Sequence, residues 1–169
     1  MTRPMDGSRD ESRSLPREIV SWAERLIDAL SADHLHQHCS VFMFDPRRDG
    51  LVLTAQVWGA GMDSGKVTPG AWVLPLEGSV CGRVFRTGEP ALIVDTALDP
   101  DYRDYPGGRM RSELAVPIVA GSTVVGILNF ESPWPATFGI DDLDRVSDWA
   151  ARAGEEFAAR GLQRYVGPA

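Results

Sequence analysis

RSELAVPIVAGSTVVGILNFES, Arg111 to Ser132, is the stretch whose reading decides the fold. It predicts two strands joined by a tight turn. Leu114, Val116 and Ile118 are apolar before the turn, and Val124, Ile127, Leu128 and Phe130 are apolar after it. β-Branched residues are dense on both sides, as half-buried strands prefer. Gly121-Ser122 supplies the turn chemistry. Pro117 has no N–H to give a ladder, so its strand belongs at an edge or carries a bulge there. Gly126 lies mid-strand, where a missing side chain marks a bulge or a close backbone approach. So apolar a hairpin has to be covered, and the rest of the chain offers helices and further strands to cover it.

The first 14 residues hold Arg, Asp, Ser and Gly without an apolar pattern and predict a disordered arm. A helix follows over Pro16 to Ala32, with Ile19, Ala23, Leu26, Ile27 and Leu30 on one face and Pro16 in the first turn. Ser40 to Asp45 and Leu51 to Trp58 read as a hairpin around the turn Pro46 to Gly50. A glycine-rich loop spans Gly59 to Gly70, and a short extended piece Ala71 to Leu76. Ser79 is an N-cap and Gly88 a C-terminal glycine for a short helix from Val80 to Thr87. Pro90 to Asp95 is a strand, and Asp99-Pro100 suggests one helical turn to about Asp104. The last helix runs from Ile140 to about Arg160, with Leu143, Val146, Ala150, Ala153 and Phe157 stepping by three and four. Asp141, Asp142 and Asp144 in its first turn, Arg160 in its last and Gly161 beyond suit the helix dipole and the C-cap.

The 169 residues fit one domain able to bury a core without staples. A net charge of −7 and the lack of a basic run exclude a nucleic-acid binder. Cys39 and Cys81 do not form a secreted disulfide framework. The polar start is no signal peptide, and no apolar run is long enough to span a bilayer. The expectation is a soluble, cytoplasmic, acidic domain that binds neither nucleic acid nor membrane.

The central hairpin, with Phe138, Asp141, Asp142 and Leu143 behind it, resembles the C-terminal half of a GAF domain. LEGSVCGRVFRTGEPALIVD, Leu76 to Asp95, resembles the segment before it. The likeness divides the chain into the arm 1–14, a GAF domain over 15–162 and a tail 163–169. It implies an α+β fold: a central antiparallel sheet with the N- and C-terminal helices packed on one face, and short helices and loops over a pocket on the other. GAF relatives often carry Ser or Thr where Gly139 stands, a weaker cap.

That pocket would gather Trp58, Trp72, Ser79, Val80, Cys81, Gly82, Asp95, Tyr102, Tyr105, Arg111, Glu113, Asn129 and Glu131. Aromatic walls with a few polar groups suit a small molecule. The free amides at the start of the short helix favour an anion. The resemblance thus implies a sensory or regulatory module that takes a small ligand, an anionic one included. It would signal through a homodimer of its terminal helices or through a signalling protein partner. No cofactor is expected.

Other chemistries are less well matched. His34, His36 and His38 alternate and could converge on a metal if extended, but no carboxylate or second cysteine is spaced to close the site, so no metal is expected. GSVCG and RSELAVP also resemble free methionine-R-sulfoxide reductases, which have the same fold. Those enzymes place the catalytic cysteine in the loop before the hairpin, and here Asp104 to Met110 contains none. A thiol reductase needs a nucleophile and a resolving thiol. Cys81 is therefore catalytic only under that alternative and otherwise reads as a small buried residue. A covalent bilin would need a Cys-His pair that the 96–110 loop lacks, and the cyclic-nucleotide signature of related domains is not visible. A third reading is a ligand-free interaction domain, its pocket filled by side chains such as Trp72 and Tyr105.

Overall fold

A computed structural model of the chain describes residues 14–32, 38–59, 67–104 and 110–166. The central hairpin is β5 (Ser112–Ala120) and β6 (Thr123–Ser132), paired in register from Ser112–Ser132 to Ala120–Thr123. Gly121 takes φ +66°, the left-handed conformation that the two-residue turn requires. β1 (His38–Asp45) adds to the other side of β6, followed by β2 (Gly50–Val57) and the short β3 (Val73–Pro75). The short β4 (Ala91–Ile93) closes the β5 side, giving the order β3-β2-β1-β6-β5-β4 with every pair antiparallel.

The exceptional residues of the hairpin fall where their chemistry puts them. β4 pairs with Glu113 to Ala115 alone, so Pro117 lies beyond its reach, opposite Ile127 of β6. A bulge follows between Ile118 and Val119. A Cβ on Gly126 would stand 2.4 Å from the Phe42 carbonyl oxygen and 2.7 Å from Met43 Sδ. The strand therefore needs glycine for close approach to β1, beside the β1 irregularity between Val41 and Phe42.

Alternation then sorts the side chains to two faces. Val41, Met43, Leu114, Val116, Ile118, Leu128 and Phe130 join the larger core with α1 (Arg17–Ala32) and α3 (Ile140–Ala159). Trp22 of α1 meets Phe157 of α3 edge-to-face, with ring centroids 4.9 Å apart. Phe42, Leu51, Leu53, Ala115 and Ile127 point the other way, against Val80, Cys81 and Val84 of α2 (Val80–Thr87). The terminal helices thus share one face and α2 takes the other.

The caps of α2 agree with the sequence: Ser79 Oγ accepts from the Gly82 N–H at 3.0 Å, and Gly88 ends the helix at φ +70°. The turn expected from Pro100 forms but is shorter than expected: the Tyr102 N–H donates to the Asp99 carbonyl at 3.2 Å, and the turn covers Pro100 and Asp101 without reaching Asp104. The Asp99 carboxylate accepts from the Asp101 N–H at 2.9 Å, as a cap does, and pairs with Arg83 at 2.7 Å. A further 3₁₀ turn, Thr96–Leu98, precedes it, with the Asp95 carboxylate accepting from the Ala97 N–H at 3.0 Å. At the start of α3 the Asp142 carboxylate accepts from the Gly139 N–H at 2.9 Å, which compensates for the side chain that glycine lacks. No helix among the described residues is long and apolar enough to cross a membrane.

Gly154 fixes how closely α3 approaches β5: an added Cβ would lie 2.0 Å from the Val119 carbonyl oxygen. Glycine to alanine within a helix ordinarily gains about 1 kcal/mol. Here Gly154→Ala is expected to lose about 1–3 kcal/mol in urea denaturation, the usual cost of overpacking.

Candidate functional site

On the α2 face the sheet changes character along its length. The row Pro117, Ile127 and Phe42 is apolar. The next, Ala115, Asn129 and Ser40, carries two polar residues, and the row after it is Glu113, Glu131 and His38. All five polar side chains are buried. Directly opposed antiparallel residues have Cβ atoms about 5 Å apart, so the carboxylates of Glu113 and Glu131 are held side by side by backbone pairing.

Glu131 is well supplied with partners. Its Oε2 meets His38 Nδ1 at 3.2 Å, and its Oε1 accepts from the Tyr102 hydroxyl at 3.4 Å. His38 Nε2 lies 3.3 Å from Gln56 Oε1, and the Gln56 amide donates to the Val67 carbonyl at 2.7 Å. The Trp58 ring stacks on the imidazole with centroids 4.0 Å apart. Tyr102 is oriented by the Met110 N–H, which donates to its hydroxyl at 3.3 Å. Burial first, then the Glu131 and Glu113 charges, push the Tyr102 phenol up, so it stays protonated and donating.

Glu113 is poorly supplied. The Cys81 thiol donates to its Oε1 at 3.6 Å, a long contact, and its Oε2 has no hydrogen-bond partner among the described residues. Asn129 Oδ1 and Ser40 Oγ are likewise buried without partners. Burial pushes the Glu113 carboxyl well above the usual range, with the adjacent Glu131 charge the next cause. The Cys81 thiol opposes the shift, as does the Asn129 amide, which favours the anion without closing a bond to Oε2. Cys81 is itself pushed up, by burial first and then by the Glu113 and Glu131 charges. These outweigh its place in the first turn of α2, so its thiol is held protonated, contrary to the thiolate chemistry that position suggests. Burial raises the Cys39 thiol too, and Cys39 faces the terminal helices on the opposite side of the sheet.

Between α2 and the sheet lies a cavity of about 10 Å³, lined by Phe42, Trp72, Leu74, Ser79, Val80, Cys81, Arg103, Glu113, Asn129 and Glu131. That is room for one water-sized group. Seven of the residues anticipated from the sequence thus meet there. Trp58 and Tyr102 stand behind them, in contact with His38 and Glu131. Gly82 serves packing instead: an added Cβ would lie 2.3 Å from the Leu76 carbonyl oxygen. Asp95 and Arg111 do not line the cavity; they pair with each other at 2.9 Å, and Asp95 also caps the 3₁₀ turn. Tyr105, His34 and His36 lie outside the described residues, among which no cluster suited to a metal ion occurs. Sequence reasoning missed His38 as the partner of Glu131, and Arg103, which donates to the Gly78 carbonyl at the rim. The alternation of His38 and Ser40 before an apolar strand was the available signal.

The sequence model of the GAF domain matches residues 17–155. No curated protein matches the chain in sequence. Among solved structures, the GAF domain of a phosphoenolpyruvate-protein phosphotransferase from Coxiella burnetii superposes with a TM-score of 0.71 at 21% identity, covering 86% of each chain. A free methionine-R-sulfoxide reductase from Neisseria meningitidis, solved with its substrate, gives 0.69 at 21% identity, again over 86% of each. A methyl-accepting chemotaxis protein fragment gives 0.64 at 22% identity, covering 81% of this chain and 85% of that one. At these identities the likeness is one of fold.

The raised carboxyl of Glu113 has a consequence for stability. Above the model-compound value of 4.5, the unfolded chain releases this proton while the folded chain keeps it. Stability conferred by this group therefore falls as pH rises, by up to about 1.4 kcal/mol per pH unit, until the folded carboxyl also ionises. Glu113→Gln removes that slope. Denaturant unfolding from pH 5 to pH 8 is expected to show the variant gaining on the wild type as pH rises.

Proposed function

The chain belongs to the GAF domain family, and on that premise we propose that it is a regulatory module that binds a small molecule between α2 and the sheet. One observation carries the reading. Glu113 Oε2, Asn129 Oδ1 and Ser40 Oγ are buried on one face without partners among the described residues. Each such group costs about 1–3 kcal/mol, which folding alone does not return. A ligand that supplies hydrogen bonds recovers part of that cost, which links occupancy to the stability of α2 and of the sheet rows beneath it.

Signalling requires that the ligand prefer one of two states of the module. The elements that touch the site are α2 and the segment bearing Tyr102 and Arg103. The sheet joins them to α1 and α3, whose outer surfaces we assign to a second copy or to a signalling partner. Light scattering at high concentration is expected to give the mass of a dimer, and a monomer would remove the self-association.

The reductase reading is the weaker one. Burial keeps both thiols protonated, and Cys39 and Cys81 lie on opposite faces of the sheet, so neither resolves the other. An NADPH-coupled thioredoxin assay on free methionine sulfoxide is expected to show no turnover. Activity lost on Cys81→Ser would establish the enzyme instead.

Native mass spectrometry of protein purified from cells is expected to show a bound small molecule. A ligand present at a hundred times its dissociation constant adds about 2.7 kcal/mol of stability. A thermal-shift screen of nitrate, nucleotides, amino acids, keto acids and amines in which nothing stabilises the protein would leave the ligand-free interaction domain as the better account.

A further inference from the structure

Resting on that reading, we propose that the site takes a protonated amine, with its ammonium group in the cavity between Glu113, Asn129 and Glu131.

The argument begins with a count of donors and acceptors. Of the polar groups lining the cavity, Glu113 Oε2 and Asn129 Oδ1 are acceptors without donors among the described residues, and the Glu131 carboxylate is an acceptor beside them. Ser79 Oγ is already committed, accepting from the Gly82 N–H and donating to the Pro75 carbonyl. The Cys81 thiol is a weak donor, spent at 3.6 Å on Glu113 Oε1. While Glu113 holds its proton it adds one O–H donor, and acceptors still outnumber donors at the site. An ammonium group brings three donors, no acceptor and a positive charge.

Size and walls agree. The cavity of about 10 Å³ admits a group no larger than water, which an ammonium head matches and a carboxylate or phosphate exceeds. Trp72 is one of the walls, and an indole face attracts a cation.

Charge decides against the anion that the start of α2 suggests on sequence grounds. One of its first amides, that of Gly82, is taken by the Ser79 cap. An anion would meet the charge of Glu131 and would hold Glu113 in its protonated form, and the partial charge at the start of a short, already capped helix opposes that repulsion only weakly. Among the described residues the one cationic side chain at the cavity is Arg103, which is exposed and donates to the Gly78 carbonyl, so water screens its effect on the interior.

Occupancy also couples to protons. The groups that face Glu113 are the Cys81 thiol from α2, Glu131 and Asn129 from β6, and Asp99 from the loop, with His38 and Tyr102 acting through Glu131. An ammonium ion beside Glu113 favours its ionised form, so binding releases the proton that burial holds there. Amine affinity therefore rises with pH while Glu113 is still titrating.

Three isosteric probes test this on the full chain: n-propylammonium, n-propanol and propionate, titrated into isotope-labelled protein and followed by amide chemical shifts. The expected result is saturable shifts at Val80, Cys81, Asn129 and Glu131 with propylammonium, and none with the other two. Its affinity is expected to rise at least about fivefold from pH 5 to pH 8 and to fall at least about tenfold in Glu113→Gln. Should that variant not fold, the pH series on the wild type decides alone. Saturation by propionate with propylammonium silent would overturn the amine assignment and leave the receptor reading standing. Silence with all three probes, the result expected if the cavity holds only a water molecule, would overturn the assignment. With an unproductive ligand screen and no co-purified molecule, it would overturn the receptor reading as well.

Discussion

Glu113 and Glu131 face one another across an antiparallel pair, and the backbone gives them no way to separate. The hairpin register is fixed on the other face of the sheet, where Leu114, Val116, Leu128 and Phe130 are buried under the terminal helices. Slipping either strand by one residue would place the carboxylates in that core and the leucines against α2. The hydrophobic effect on one face thus holds two acids together on the other. The rest of the site answers this constraint. His38 and Tyr102 serve Glu131, burial keeps a proton on Glu113, and burial first, with these acids beside it, keeps the Cys81 thiol neutral.

What was legible in the sequence was local, or followed from strict alternation. Ser79 and Gly88 bound α2 because a cap acts within a few residues of its own position. Pro117 and Gly126 announced an open ladder position and a close approach because each lacks an ordinary strand group. The turn at Pro100 was legible from Asp99-Pro100, but its early end was not, nor was the 3₁₀ turn after Asp95, since Asp99 is drawn to Arg83, distant in sequence. The same limit applied to the site. Glu113, Asn129, Glu131, Cys81 and Trp72 could be gathered because the family fold sets their strands and helix. The mutual pairing of Asp95 and Arg111 depends on side-chain directions that spacing alone does not determine. His38 meets Glu131 93 residues away, so its role emerges only from the pairing of β1 with β6.

The arrangement favours neither thiol as a nucleophile. A thiol nucleophile works as the thiolate, and both cysteines are buried where the thiol is favoured. A carboxyl such as Glu113, whose proton is retained by burial, meets a positively charged group only on giving that proton up. The buried acceptors that have no partner among the described residues carry a cost that a hydrogen-bond donor placed beside them would relieve.

Carbon-13 NMR titration of the glutamate side-chain carboxyls measures the central claim directly, residue by residue. The account predicts that the Glu113 carboxyl titrates well above the other glutamates of the ligand-free protein, and that its signal disappears from that position in Glu113→Gln. Ordinary acidic titration of Glu113, with two freely ionised carboxylates side by side, would contradict it.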